Sequence, residues 1–279
     1  MRILPVLLGL ATIGFAGFWV LTSPRPISPA LLSGDPERGE QVFDAAGCAS
    51  CHGAKDDRLV LSGGMEFETE FGTFIAPNIS PDPEHGIGGW TPEQFVNAVQ
   101  RGISPDREHY YPAFPYTSYS KAEPQDIADL KAYMDMLPPS AVPSQPHRVG
   151  FPFNIRRGLG LWKLAYLRDG WVVEGELTPE EQRGRYLAEA LGHCGECHTA
   201  RGVAGGLDTG RWLQGEGRIP AINAAELDWS ADEIAEYLTS GFTPDYDSAG
   251  GHMALVIQNI SRLPEQDRAA IAAYVKRVP

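Results

Sequence analysis

Sulfur is scarce in this chain. Four cysteines and five methionines stand among 279 residues. All four cysteines fall inside two short motifs, so none remains to build the disulfide framework of a small secreted scaffold. A run of positive charge is also missing: 23 Lys and Arg face 36 Asp and Glu, for a net charge of −13. Without a basic stripe to meet a phosphate backbone, the chain is not a nucleic-acid binder. Its acidity reads as a solvated surface or as steering toward a basic redox partner, and the composition leaves both open. Convincing strand alternation is absent as well.

What the chain does have is one motif written twice. Cys48-Ala49-Ser50-Cys51-His52 and Cys194-Gly195-Glu196-Cys197-His198 are both C-x-x-C-H, the attachment pattern of c-type haem. The two thiols add across the haem vinyl groups, and the histidine that follows supplies a nitrogen to the iron. The competing readings are a pair of redox dithiols and a Cys/His zinc site. A dithiol has no need of the trailing histidine, and no further Cys pair lies near either motif to complete a zinc site. The expectation is two covalent haem c groups, attached at Cys48, Cys51, Cys194 and Cys197, with His52 and His198 on the irons.

Covalent haem attachment happens outside the bacterial cytoplasm, and the N-terminus agrees. After Met1-Arg2 an uncharged apolar run extends from Ile3 to Leu21. As a helix it would span roughly 28 Å, close to the hydrocarbon core of a bilayer. A cleaved signal would show a shorter core and a small-x-small site, whereas this run ends in Trp19-Val20-Leu21-Thr22-Ser23-Pro24 with an aromatic suited to an interface. An uncleaved transmembrane anchor is the expectation, followed by a stiff Pro-rich spacer from Pro24 to Pro29.

The motifs sit in two copies of a larger unit. Arg38-Gly39 leads to Cys48, and Arg183-Gly184 leads to Cys194 over one residue more. Trp90-Thr91-Pro92-Glu93 matches Trp229-Ser230-Ala231-Asp232, and Gly102–Asp106 matches Gly241–Asp245, both at a spacing of 139. Asp126 and Tyr133 match Asp267 and Tyr274 at 141. Each copy reads helical. One helix leads to the haem motif, a second starts from an N-cap at Thr91 or Ser230 and stops at Gly102 or Gly241, and a last one carries an apolar stripe. That stripe is Ile127, Leu130, Tyr133, Met134 and Leu137 in copy one, and Ala270, Ile271, Tyr274, Val275 and Val278 in copy two. Between the copies lies a Pro- and Ser-rich stretch that turns aromatic and basic around Phe151, Arg156, Arg157, Trp162 and Lys163. It reads as a linker packed on both copies, or as a patch for a membrane surface or partner.

Longer segments carry a resemblance: Phe71–Asp82, Gly86–Trp90, Tyr111–Tyr119, Gly192–Thr199 and Gly250–Met253. With them the chain resembles the membrane-bound dihaem c-type cytochromes related to the cytochrome subunits of bacterial alcohol, sugar and aldehyde dehydrogenases. The resemblance implies an all-α architecture of two tandem class I cytochrome c domains, each wrapped around a covalent haem, behind a transmembrane helix. The expected divisions are 1–30 for anchor and spacer, 34–138 for domain 1, 139–178 for the linker and 179–279 for domain 2. It further implies that Gly39 meets Tyr133 and Gly184 meets Tyr274 where first and last helices cross, and that the carbonyls of Pro77 and Pro220 orient His52 and His198.

For the sixth iron ligand the copies part. Met253 stands between Gly241 and the last helix, where such a fold places its methionine, and is expected on the iron of haem 2. Copy one has no such methionine; its loop reads Tyr110-Tyr111-Pro112-Ala113-Phe114-Pro115-Tyr116. His109, Lys121 and an open position all remain there. The expected function is electron transfer from a periplasmic dehydrogenase or soluble donor to the respiratory chain, through partners such as a dehydrogenase subunit, an oxidase or a soluble cytochrome. The expected location is the bacterial inner membrane, with the haem domains in the periplasm. The alternative is a dihaem enzyme with peroxidase-like or thiosulfate-oxidising chemistry at haem 1.

Overall fold

A computed structural model of the chain describes residues 3–30 and 32–279; Met1 and Arg2, the flank of the expected anchor, lie outside the described residues. The apolar run forms helix α1, Ile3–Leu21. Among the described residues no helix is long and apolar enough to cross a membrane, so the expected span is not carried by the structure. The side chains of residues 3–8, 10 and 11 lie outside the described set.

Copy one begins with α2, Pro36–Ala45, capped by the Asp35 carboxylate accepting from the Glu37 amide. Gly47, at φ +61°, turns the chain into α3, Cys48–His52. The expectation of purely helical structure needs one correction. Strand β1, Glu66–Thr69, pairs antiparallel with β2, Gly72–Ile75. Its turn is pinned by the Thr69 hydroxyl donating to the Gly72 carbonyl at 2.8 Å. Its outer edge is closed by Thr73 and Arg148, which exchange backbone hydrogen bonds of 3.0 and 2.9 Å. Strands this short show hardly more than one alternation, and their partner edge lies far along the chain, so local pattern misses them.

Helix α4, Pro92–Arg101, starts at a capping box between Thr91 and Gln94 and ends at Gly102 with φ +57°. A short α5, Tyr116–Tyr119, precedes α6, Pro124–Met134. The linker contains α7, Leu159–Tyr166. It packs on several parts of the chain: Lys163 donates to the carbonyls of Arg101 and Gly102, Trp162 to Ala204, and Arg157 to Thr22 and Ser23.

Copy two opens with α8, Pro179–Arg185, which continues as a π turn over Tyr186–Leu191. A π turn absorbs one extra residue. That is the residue by which copy two is longer, and the turn keeps Cys194 in register with Gly184. Helix α9, Gly195–His198, holds the second motif. Helix α10, Ala231–Ser240, repeats the Thr91 arrangement with a Ser230–Glu233 capping box and Gly241 at φ +79°. Helices α11, Gly251–Ile260, and α12, Glu265–Arg277, finish the chain.

Two helix crossings organise the core. Helix α2 lies on α6 so closely that a Cβ on Gly39 would stand 2.0 Å from the Asp129 carbonyl oxygen and 2.7 Å from the Tyr133 Cβ. Helix α8 lies on α12 in the same way: a Cβ on Gly184 would stand 1.8 Å from the Ala270 oxygen and 2.7 Å from the Tyr274 Cβ. Glycine is the residue that permits such backbone contact. Of the apolar stripes, Ile127, Leu130, Met134 and Leu137 are buried on one crossing, and Ala270, Ile271, Tyr274, Val275 and Val278 on the other. Most of these join one continuous apolar core that spans both copies.

Candidate haem-attachment sites

Within α3, Cys48 and Cys51 lie three residues apart on one helical face, with His52 beside them. The His52 Nδ1–H donates to the Pro77 carbonyl at 2.8 Å. That bond fixes the tautomer and leaves Nε2 as the nitrogen with a free lone pair. Pro77 is held in reach by Gly63: its amide donates to the His52 carbonyl at 2.8 Å, and a Cβ there would meet the carbonyl oxygens of Ala76 and Pro77 at 2.4 Å. The second motif repeats the arrangement. His198 Nδ1–H donates to Pro220 at 2.8 Å, and the Gly215 amide donates to the His198 carbonyl at 2.7 Å. Both supporting glycines sit at φ +72°.

Electrostatics narrows the chemistry. Burial pushes the thiols of Cys48 and Cys194 up to about 12 and that of Cys51 to about 11, and raises Cys197. Thiols held protonated at neutral pH lack the thiolate that a redox dithiol uses. Burial also holds His52 and His198 below the usual imidazole range, so both are neutral and able to donate to a metal. Among the described residues no three His, Cys, Asp or Glu are arranged to hold a bare metal ion. The donor set in each copy therefore fits a haem: two protonated thiols on one turn, and one oriented, neutral imidazole.

Each motif makes contact with elements of the other copy. Ser50, inside the first, donates to the Leu255 carbonyl at 3.3 Å and accepts from Asn259 at 2.8 Å. Glu196, inside the second, accepts from Thr117 at 2.9 Å and pairs with Arg201. The Tyr119 ring stands edge-on to His193 with centroids 5.5 Å apart, and its hydroxyl donates to the Ala46 carbonyl at 2.9 Å. Sequence reasoning missed these bridging residues. The variable x positions of the motifs, Ser50 and Glu196, were the only signal for them.

Comparison with known proteins decides the family. Residues 36–138 match the cytochrome c family. A dihaem c-type cytochrome of Cereibacter sphaeroides is 60% identical over 95% of this chain and 94% of its own length. The chain belongs to the dihaem c-type cytochromes. It carries covalently bound haem c. The cytochrome is also 35% identical to the fructose dehydrogenase cytochrome subunit of Gluconobacter japonicus, over 92% of this chain and 55% of that one. It is 32% identical to the cytochrome c subunit of the quinone alcohol dehydrogenase of Gluconobacter oxydans, over 87% and 54%. It thus spans about half the length of those two subunits.

The distal-ligand candidates of the cytochrome are placed as follows. Met253 lies in the first turn of α11, half-buried against the shared core, on a helix of its own rather than in a loop. His109 is buried, with Nε2 hydrogen-bonded to the Thr22 carbonyl at 2.9 Å. The Lys121 ammonium donates to the Thr117 carbonyl at 2.8 Å.

Proposed function

We propose that this cytochrome holds two haem c groups, one in each of two tandem class I domains, and relays electrons from a periplasmic dehydrogenase or soluble donor toward the respiratory chain. When bound, each haem supplies a one-electron Fe(III)/Fe(II) couple, and the protein sets its orientation, access and potential. In this reading Cys48 and Cys51 hold the first haem, and Cys194 and Cys197 the second. His52 and His198 are the proximal ligands, pinned through Pro77 and Pro220, and Met253 is the distal ligand of the second iron. The observation that carries the reading is the duplication: two C-x-x-C-H turns, each with its imidazole fixed at 2.8 Å on a proline carbonyl and each hydrogen-bonded to an element of the other copy.

The partner reading rests on the relatives that are named cytochrome subunits of dehydrogenases. The net charge of −13 adds to it, since it favours encounter with a basic partner face. Anchoring to the inner membrane through Ile3–Leu21 rests on the uncharged sequence of that run. It is supported by the exposure of Ile13, Phe15, Trp19, Val20 and Leu21. Membrane fractionation tests it: the intact chain should pellet with the membrane and retain its N-terminus.

A reductive titration followed in the visible spectrum tests the electron-transfer function. The expected result is reversible uptake of two electrons per chain in two one-electron steps, and reoxidation by a soluble cytochrome c. Uptake of one electron, or reduction that cannot be reversed, would count against it.

A further inference from the structure

The two copies keep one register through the loop that leads to Met253. Ile103 bridges to His109 as Phe242 bridges to Ser248. The Tyr110 amide donates to the Gly102 carbonyl at 2.7 Å, and the Ala249 amide donates to Gly241 at 2.8 Å. Arg107 and Tyr246 take the same left-handed conformation, at φ +60° and +64°. Every pair stands 139 residues apart. Four residues beyond this matched loop, the same register sets Phe114 opposite Met253.

Phe114 has no donor atom, and aromatic rings lock it in place. Its centroid lies 6.2 Å from Tyr110, 6.4 Å from Tyr116 and 5.8 Å from Tyr119. Like Cys48 of the first motif, it packs against the buried core. The other sulfurs of the described residues are misplaced. Met65 lies on the proximal side, its carbonyl accepting from Ala76 next to Pro77. Met134 is buried within α6, and Met136 is exposed. His109 points to the end of α1, where Nε2 meets Thr22. Its Nδ1 is buried without a hydrogen-bond partner. Lys121 is engaged by Thr117.

We infer that the haem attached at Cys48 and Cys51 would receive no sixth ligand from the protein, because Phe114 stands in the register of Met253, and would bind neutral diatomic molecules such as carbon monoxide and nitric oxide in its place. The inference rests on the reading that both motifs hold haem and that Met253 ligates the second iron. An apolar aromatic wall suits this ligand class, because a neutral diatomic bound to ferrous iron needs no polar partner on the distal side. Electron transfer is then the task of both haems, and diatomic binding a property of the first alone.

The test is carbon monoxide uptake by the reduced full-length protein, with haem counted by intact mass. One carbon monoxide per two-haem chain is expected. Phe114→Met should bind none, and should double the sulfur-to-iron charge-transfer band at the red end of the visible spectrum. Phe114→Leu, a gentler change to the packing, should still bind one, as should His109→Ala and Lys121→Ala. Two haems with no uptake overturns this inference alone. So does uptake that begins only in His109→Ala or Lys121→Ala, since that residue was then the ligand. Two molecules per chain removes Met253 from the second iron, and the comparison with it. A single haem overturns the underlying reading, and the inference falls with it.

Discussion

Tyr274 donates a hydrogen bond of 2.5 Å to the carboxylate of Glu189, a side chain only 1% exposed. The same carboxylate accepts from the amides of Val172 and Val173 at 2.6 and 3.0 Å, and Trp212 donates to the Tyr274 hydroxyl at 3.1 Å. Trp212 is the ring that packs on Gly195 of the second motif, so closely that a Cβ there would stand 1.9 Å from it. One buried carboxylate thus ties the linker, the α8–α12 crossing and the second attachment turn together. Replacement by Gln puts an amide NH2 where a donor already points. Glu189→Gln should therefore cost about 1–3 kcal/mol. A urea titration checks this, and an unchanged midpoint would show that the network contributes nothing.

The helix crossing predicts a second loss. A methyl group on Gly184 would stand 1.8 Å from the Ala270 carbonyl oxygen, and backbone cannot swing aside as a side chain can. Gly184→Ala should destabilise by roughly 1–3 kcal/mol or more, through displacement of α8 from α12. Gly170→Ala is the control, since nothing lies within 4 Å of a Cβ there. Equal thermal midpoints for the two variants would contradict the close crossing.

The third prediction concerns acid. Burial first, and then the cations Lys163 and Arg157, hold His109 below its ordinary value, against the opposing hydrogen bond to Thr22. The folded state therefore keeps His109 neutral at a pH where the unfolded chain already binds a proton. Stability supplied by the neutral form is present above about 6.5 and is lost as pH falls below it, with a slope of up to about 1.4 kcal/mol per pH unit. His109→Gln should lose less stability between pH 7.5 and 5.5 than the parent does. Parallel losses in urea titrations at the two pH values would contradict it.

Much of this was legible because it is local. The N-caps at Thr91 and Ser230 and the stops at Gly102 and Gly241 all act within one or two turns of chain, so the sequence displays them directly. The C-x-x-C-H turns are equally local. What escaped reading depends on distant partners. The β1–β2 hairpin is closed by Arg148, Glu189 becomes a buried acceptor only once α8 yields a π turn, and His109 meets Thr22 across 87 residues. Helix α11 is hidden for another reason: between Gly241 and the last helix Met253 reads as an iron ligand, while the apolar run Met253–Ile257 also builds a helix.

The central claim is that both C-x-x-C-H turns carry covalent haem. The intact mass of the full-length chain, matured in a host with cytochrome c assembly, tests it most directly. The account predicts two haem additions that survive acid-acetone extraction, falling to one in Cys51→Ala or Cys197→Ala. A single addition to the unaltered chain, or haem lost to the acid-acetone layer, would contradict it.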